Sequence, residues 1–125
     1  MTFMFLVLCA TSWAEPSPSK KDLDRTIAYL LKYVAQSQCT FIRNGKEHSP
    51  SEAVAHIKRK YEYYEKKIKT AEDFIRITAT KSMISGKPYL IKTKEGATVP
   101  SQEWFLNALN QYRKAQAGPG TRAGD

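Results

Sequence analysis

Cys39-Thr40-Phe41-Ile42-Arg43-Asn44-Gly45-Lys46-Glu47-His48, followed at once by Ser49-Pro50-Ser51-Glu52, decides the fold class. Thr40-Phe41-Ile42 is a short β-prone run. It meets Asn44-Gly45, two residues that tolerate positive φ and favour a tight hairpin turn. The spacing predicts a strand over 39–43 returning through 46–48. Ser49 then stands as a helix cap, Pro50 suits the first helical turn, and Glu52 completes a capping box. A hairpin running straight into a capped helix points to an α+β fold, mainly helical, with about four helices packed on a small two- to three-stranded antiparallel sheet.

Outward from that stretch, apolar residues recur at helical spacing. Leu23, Ile27, Leu30, Leu31 and Val34 form one stripe, so Ser19 to about Gln38 is the first predicted helix, with Ser19 and Asp22 as a weak capping box. After Glu52, Ala53, Ile57, Tyr61, Tyr64, Ile68, Ala71 and Ile75 keep phase, yet Thr70-Ala71-Glu72-Asp73 reads as a fresh cap. We expect two nearly collinear helices with a break near 69–70. Ser85-Gly86 marks a turn, and Lys87-Pro88 ends helical character. Tyr89 to Thr93 reads as a strand, and Lys94-Glu95-Gly96 as a turn. Pro100-Ser101 opens the last helix, which sets Trp104, Phe105, Ala108, Leu109 and Tyr112 on one side. Residues 116–125 are Gly-rich without an apolar anchor, and a disordered tail is expected there.

The chain of 125 residues suits one domain, here over 20–115. Its 42% hydrophobic and 26% charged residues exclude collagen-like, mucin-like and wholly disordered classes. Two Cys exclude a disulfide-rich scaffold and a four-cysteine zinc site. Residues 3–10 form an apolar run of signal-peptide length, too short for a bilayer span of about 20 residues. Ser12-Trp13-Ala14 sets small residues at −3 and −1 of a cut after Ala14, with 15–19 as a linker. The expected location is periplasmic or secreted. Residues 1–14 carry no ionisable side chain beyond Cys9, so the formal charge of +8 stays with the exported chain.

Candidate chemistry is sparse. His48, Glu52 and His56 lack a further ligand for zinc, and no metal or cofactor is expected. Cys39 is expected buried beside Phe41 and Ile42. Cys39 or Ser85 as the nucleophile of a small hydrolase or transferase is an alternative, with no S-x-x-K pattern behind Ser82 or Ser85. Ser85-Gly86-Lys87 is not a phosphate loop. Lys58, Arg59, Lys66 and Lys67 alternate with Tyr61, Tyr63 and Tyr64, a pattern that can bind single-stranded nucleic acid. Tyr61 and Tyr64 fall on the apolar stripe, and Glu62 and Glu65 are interspersed, so a solvated helix face is the plainer reading. The most distinctive pairing is Arg43-Asn44-Gly45 with Ser82, Ser85, Gly86, Lys87 and Tyr89. Were strands 39–43 and 89–93 neighbours, these turns would meet and offer cations and backbone N–H groups to an anionic group.

A resemblance adds to this. Ser37 to Gly45, then Ala53, His56 and Lys60-Tyr61, then Thr70 to Ile75, then Ser82 and Ser85 to Tyr89, then Trp104-Phe105-Leu106 and Arg113 run in one order. This set resembles the small exported bacterial proteins grouped as a domain of unknown function, family number 5329. Met83 stands where the resemblance implies a smaller or polar residue. The resemblance implies export and carries no activity. The expectation is therefore a non-enzymatic binding module for an anionic envelope ligand or an acidic partner, with nucleic-acid binding through 58–69 a weaker alternative.

Overall fold

Three of the four helices start where a side chain satisfies free N–H groups. In the computed structural model, residues 19–123 are described, with side chains to Ala117; the expected leader and cleavage site lie outside the described residues. Helix α1 (Lys20–Ala35) is capped by Ser19, whose Oγ accepts from the Asp22 N–H at 3.0 Å. Strands β1 (Thr40–Arg43) and β2 (Lys46–His48) form the expected hairpin. Asn44 and Gly45 take φ of 52° and 78°, as the turn requires. Helix α2 (Pro50–Tyr64) carries the full capping box: Glu52 N–H to Ser49 Oγ at 3.2 Å, and Ser49 N–H to Glu52 Oε1 at 3.0 Å. Thr70 and Asp73 repeat the device at helix α3 (Ala71–Thr78). Strands β3 (Leu90–Lys92) and β4 (Thr98–Pro100) then precede helix α4 (Ser101–Ala123).

The sheet order is β2-β1-β3-β4, antiparallel throughout. β1 and β3 pair, which meets the condition for the two turns to approach each other. The sheet has four strands rather than two or three, because Thr98-Val99-Pro100 adds to the β3 edge. Three residues ending in Pro carry almost no strand signal of their own, and Pro is tolerated there because the strand is an edge. Cross-strand partners Phe41, Ile91 and Val99 share the face turned to the helices. Arg43, two residues after Phe41, shares that face. Leu30 and Val34 of α1, Phe74 and Ile75 of α3, and Phe105 and Leu109 of α4 complete a core at most 1% exposed.

Three boundaries differ from expectation. α1 stops at Ala35, and Gln38 adopts a positive φ of 60° that no helix continues through. The break after α2 comes earlier, as a 3-10 turn over Glu65–Lys67. α2 and α3 are also not collinear. The Tyr61 and Phe74 rings lie 5.7 Å apart, whereas 13 residues of continuous helix would separate them by about 20 Å. The apolar stripe holds its phase because both helices cover one core, not because they share an axis. Lastly, α4 continues through 116–123, where a disordered tail was expected.

Candidate functional site

β1 delivers Arg43 to the helix side of the sheet, and α2 meets it with a polar stripe. His56, Arg59, Lys60 and Tyr63 recur at spacings of 3, 1 and 3, which places them on one side of the helix. Tyr89 closes the arrangement from the segment before β3. Two backbone bonds hold it: Tyr89 N–H to Thr80 O and Ser101 N–H to Tyr89 O, both 2.9 Å. The resulting cleft has a volume of about 410 Å³. Arg43 and Asn44 line it from the hairpin, His56, Arg59 and Lys60 from α2, and Ser82, Met83 and Ile84 from the turn before β3. A cavity beneath holds only about 20 Å³, so a ligand larger than a water must sit in the outer cleft.

Its floor is a chain of three side chains. The Lys60 ammonium donates to Tyr89 Oη at 3.2 Å and to the Lys81 carbonyl at 3.3 Å. It also stands 5.1 Å from the Tyr89 ring centroid, a cation–π distance. Tyr89 Oη lies 3.2 Å from His56 Nε2. An ammonium can only donate, so the Tyr89 hydroxyl accepts from Lys60, while the direction of its bond with His56 follows the imidazole tautomer. Burial, reinforced by Arg43, Lys60 and Arg59, pushes the His56 pKa down to about 4, which keeps the ring neutral near pH 7. Burial and then Arg43 lower Lys60 as well. Burial raises Tyr89.

No Asp or Glu lines this cleft. Among the described residues, no carboxylate pairs with Arg43, Arg59 or Lys60, although Arg25, Arg76 and Arg113 each have one. Glu52 acts on Arg43 only through space, without an ion-pair contact, so the cations keep a positive local potential in a concave site.

The two turns meet as the pairing of β1 with β3 implies. Ser85 Oγ donates to Asn44 Oδ1 at 2.6 Å across 41 residues of sequence. Four backbone N–H groups of the second turn are already bonded within it. Ser82 Oγ accepts from the Ile84 and Ser85 N–H groups, Ser85 Oγ from that of Lys87, and Ser82 O from Gly86. These donors are occupied, so an anion would be met by side-chain cations. Gly45 and Gly86 serve their turns at positive φ, and neither they nor Ser85 and Lys87 line the cleft. Of the basic helix residues, Arg59 belongs to the cleft. Lys66 and Lys67 line a separate depression with Glu62 and Glu65, and Lys58 is exposed outside both.

His56 and Lys60 are the residues that sequence reasoning left out of the site. Their spacing with Arg59 and Tyr63 was readable, but a polar stripe looks the same whether it faces water or a neighbouring turn. Cys39 is buried; its Sγ–H points to the Ser37 carbonyl at 3.6 Å. The Ser85 hydroxyl donates to an amide oxygen, which is not a base. Glu52 pairs with His48 at 3.4 Å rather than with His56. Among the described residues, no three metal-ligating side chains gather, and no helix is long and apolar enough to cross a membrane.

The spaced motifs that frame this cleft lie within one recognised family. The model of the family of unknown function DUF5329 matches residues 21–113. The chain belongs to that family. It is also 38% identical over 85 residues to the uncharacterized protein YfeK of Salmonella typhimurium (strain LT2), covering 67% of this chain and 68% of that one. No solved structure matches. The DUF5329 match begins at α1 and ends at Arg113, which grips Glu72 of α3 through two bonds of 2.6 and 3.1 Å. It therefore spans every element that builds the cleft.

Proposed function

We propose that this DUF5329 protein is a binding module for an anionic ligand of the bacterial envelope, seated in the cleft between the hairpin turn, α2 and the 82–89 turn. One observation carries the reading: Arg43, Arg59 and Lys60 converge on a concave surface that contains no carboxylate. Arg guanidinium groups present paired donors that match phosphate or carboxylate oxygens. The Lys60–Tyr89–His56 floor fixes the cleft's base. The leader read at residues 1–14 supports a location beyond the inner membrane; mass measurement of the exported chain should find Glu15 at its start, and an intact Met1 in cytosol would count against it.

Titration with inorganic pyrophosphate, followed by NMR shifts of the Arg43 and Arg59 side chains, tests the cleft. Saturable shifts that weaken with added salt are expected. The Arg43→Gln, Arg59→Gln double variant should abolish them. A salt-insensitive response, or one the double variant keeps, would refute the reading.

A further inference from the structure

Three large hydrophobic side chains stand exposed among the described residues: Ile84 at 98%, Tyr63 at 80% and Met83 at 58%. All three line the same cationic cleft. Met83 and Ile84 sit at the tip of a turn that is pinned from below. Ser82 is buried and holds the turn with four hydrogen bonds: its hydroxyl takes the N–H groups of Ile84 and Ser85, its carbonyl takes that of Gly86, and its own N–H reaches Lys87 O. The isolated bridge between Lys81 and Pro88 closes the base. The apolar tip is therefore displayed by a built turn, not by a frayed one.

A small soluble anion would satisfy the cations and leave this tip in water. We propose that the face docks on an anionic lipid bilayer, with Met83 and Ile84 entering the headgroup region and Arg43, Arg59 and Lys60 meeting lipid phosphates. This rests on the anion-binding reading of the cleft and adds the partner. The chemistry fits in each part. Tyr63 carries an amphipathic ring suited to the membrane interface. Lys81 and Lys87 flank the turn and are exposed, which extends the positive rim. A short apolar insertion alone binds a bilayer weakly, so a basic patch beside it supplies the second signal that stable attachment needs. Each basic side chain near an anionic surface adds about fivefold to the affinity.

Sedimentation with vesicles tests this, using the chain from residue 15 to 125, which retains every element of the described fold. Binding is expected to phosphatidylcholine vesicles that contain phosphatidylglycerol, and not to pure phosphatidylcholine. Ile84→Ser should weaken it by about tenfold or more, from the apolar area no longer buried. Ile84 is almost wholly exposed, so this variant folds as the parent does. The Arg43→Gln, Arg59→Gln double variant should lose both responses. Pyrophosphate binding without vesicle binding would overturn the membrane assignment and leave the anion site standing. Vesicle binding that Ile84→Ser leaves intact, or saturable binding of an acidic protein with none to vesicles, would also overturn it. Loss of both responses in the parent chain would instead sink the anion reading.

Discussion

Titration of His56 should make the fold lose stability on mild acidification. The imidazole is half-buried among Arg43, Arg59 and Lys60, and its pKa falls from the ordinary 6.5 to about 4. The unfolded chain therefore binds a proton between those values that the folded chain refuses. The stability contributed by neutral His56 is complete above pH 6.5, falls as pH drops from there toward 4, and levels off below. Between about pH 7.5 and pH 5 the two values correspond to about 2 kcal/mol, and solvent screening of a half-exposed group reduces this to about 1 kcal/mol. Staying above pH 5 also avoids Glu52, Glu72 and Asp73, whose lowered pKa values put their own losses at more acid pH. With a urea dependence of about 1 kcal/mol per molar, the denaturation midpoint should drop by about 1 M across the window. His56→Gln keeps an acceptor for Tyr89 and removes the titration, so its midpoint should drop far less. An equal drop in the variant, or an NMR titration of His56 near 6.5, would refute the account of the site's floor. Saturating pyrophosphate should move the same titration upward, since an anion offsets the positive neighbours that hold it down.

Other parts of the fold make separate predictions. Phe74→Ala empties a position with no exposure and should cost about 3–5 kcal/mol, read from thermal or urea unfolding. Gly45→Ala has open space around the new methyl but a φ of 78°, so it should cost about 1 kcal/mol through backbone strain alone. Arg113→Gln breaks the paired bond to Glu72, yet both groups are half-exposed, so the loss should stay under about 1 kcal/mol and shrink in high salt. Cys39 should resist thiol reagents until denaturant is added; rapid labelling in the native state would contradict its burial.

Much of the architecture was legible because local chemistry and the fold agree. Ser49-Pro50-Ser51-Glu52 and Thr70-Ala71-Glu72-Asp73 start helices by side-chain bonds that reach only three residues. Asn44-Gly45 makes its turn by a φ preference of the residues themselves. The stripes on α1 and α4 follow from 3.6 residues per turn. β4 was missed for the opposite reason: Thr98-Val99-Pro100 becomes a strand only because the β3 edge offers hydrogen bonds. The angle between α2 and α3 was missed because a stripe records which side is buried and not where the axis points.

The candidate site divides in the same way. Asn44 and Ser85 could be brought together on paper once β1 and β3 were paired. The loss of free backbone N–H groups could not be foreseen, since it depends on where the Ser82 and Ser85 hydroxyls point. Nor could the membership of His56 and Lys60. Composition and short-range pattern determined the positive charge, the caps and the apolar faces, and the caps and faces act over a few residues. Only the tertiary structure decided that Arg43, Arg59 and Lys60 share one concave surface without a carboxylate and with Met83 and Ile84 on its rim. Electrostatic potential and desolvation depend on distances in space, and Arg43, 16 to 41 residues from the others in the chain, has no such distances to them until the sheet and helices pack.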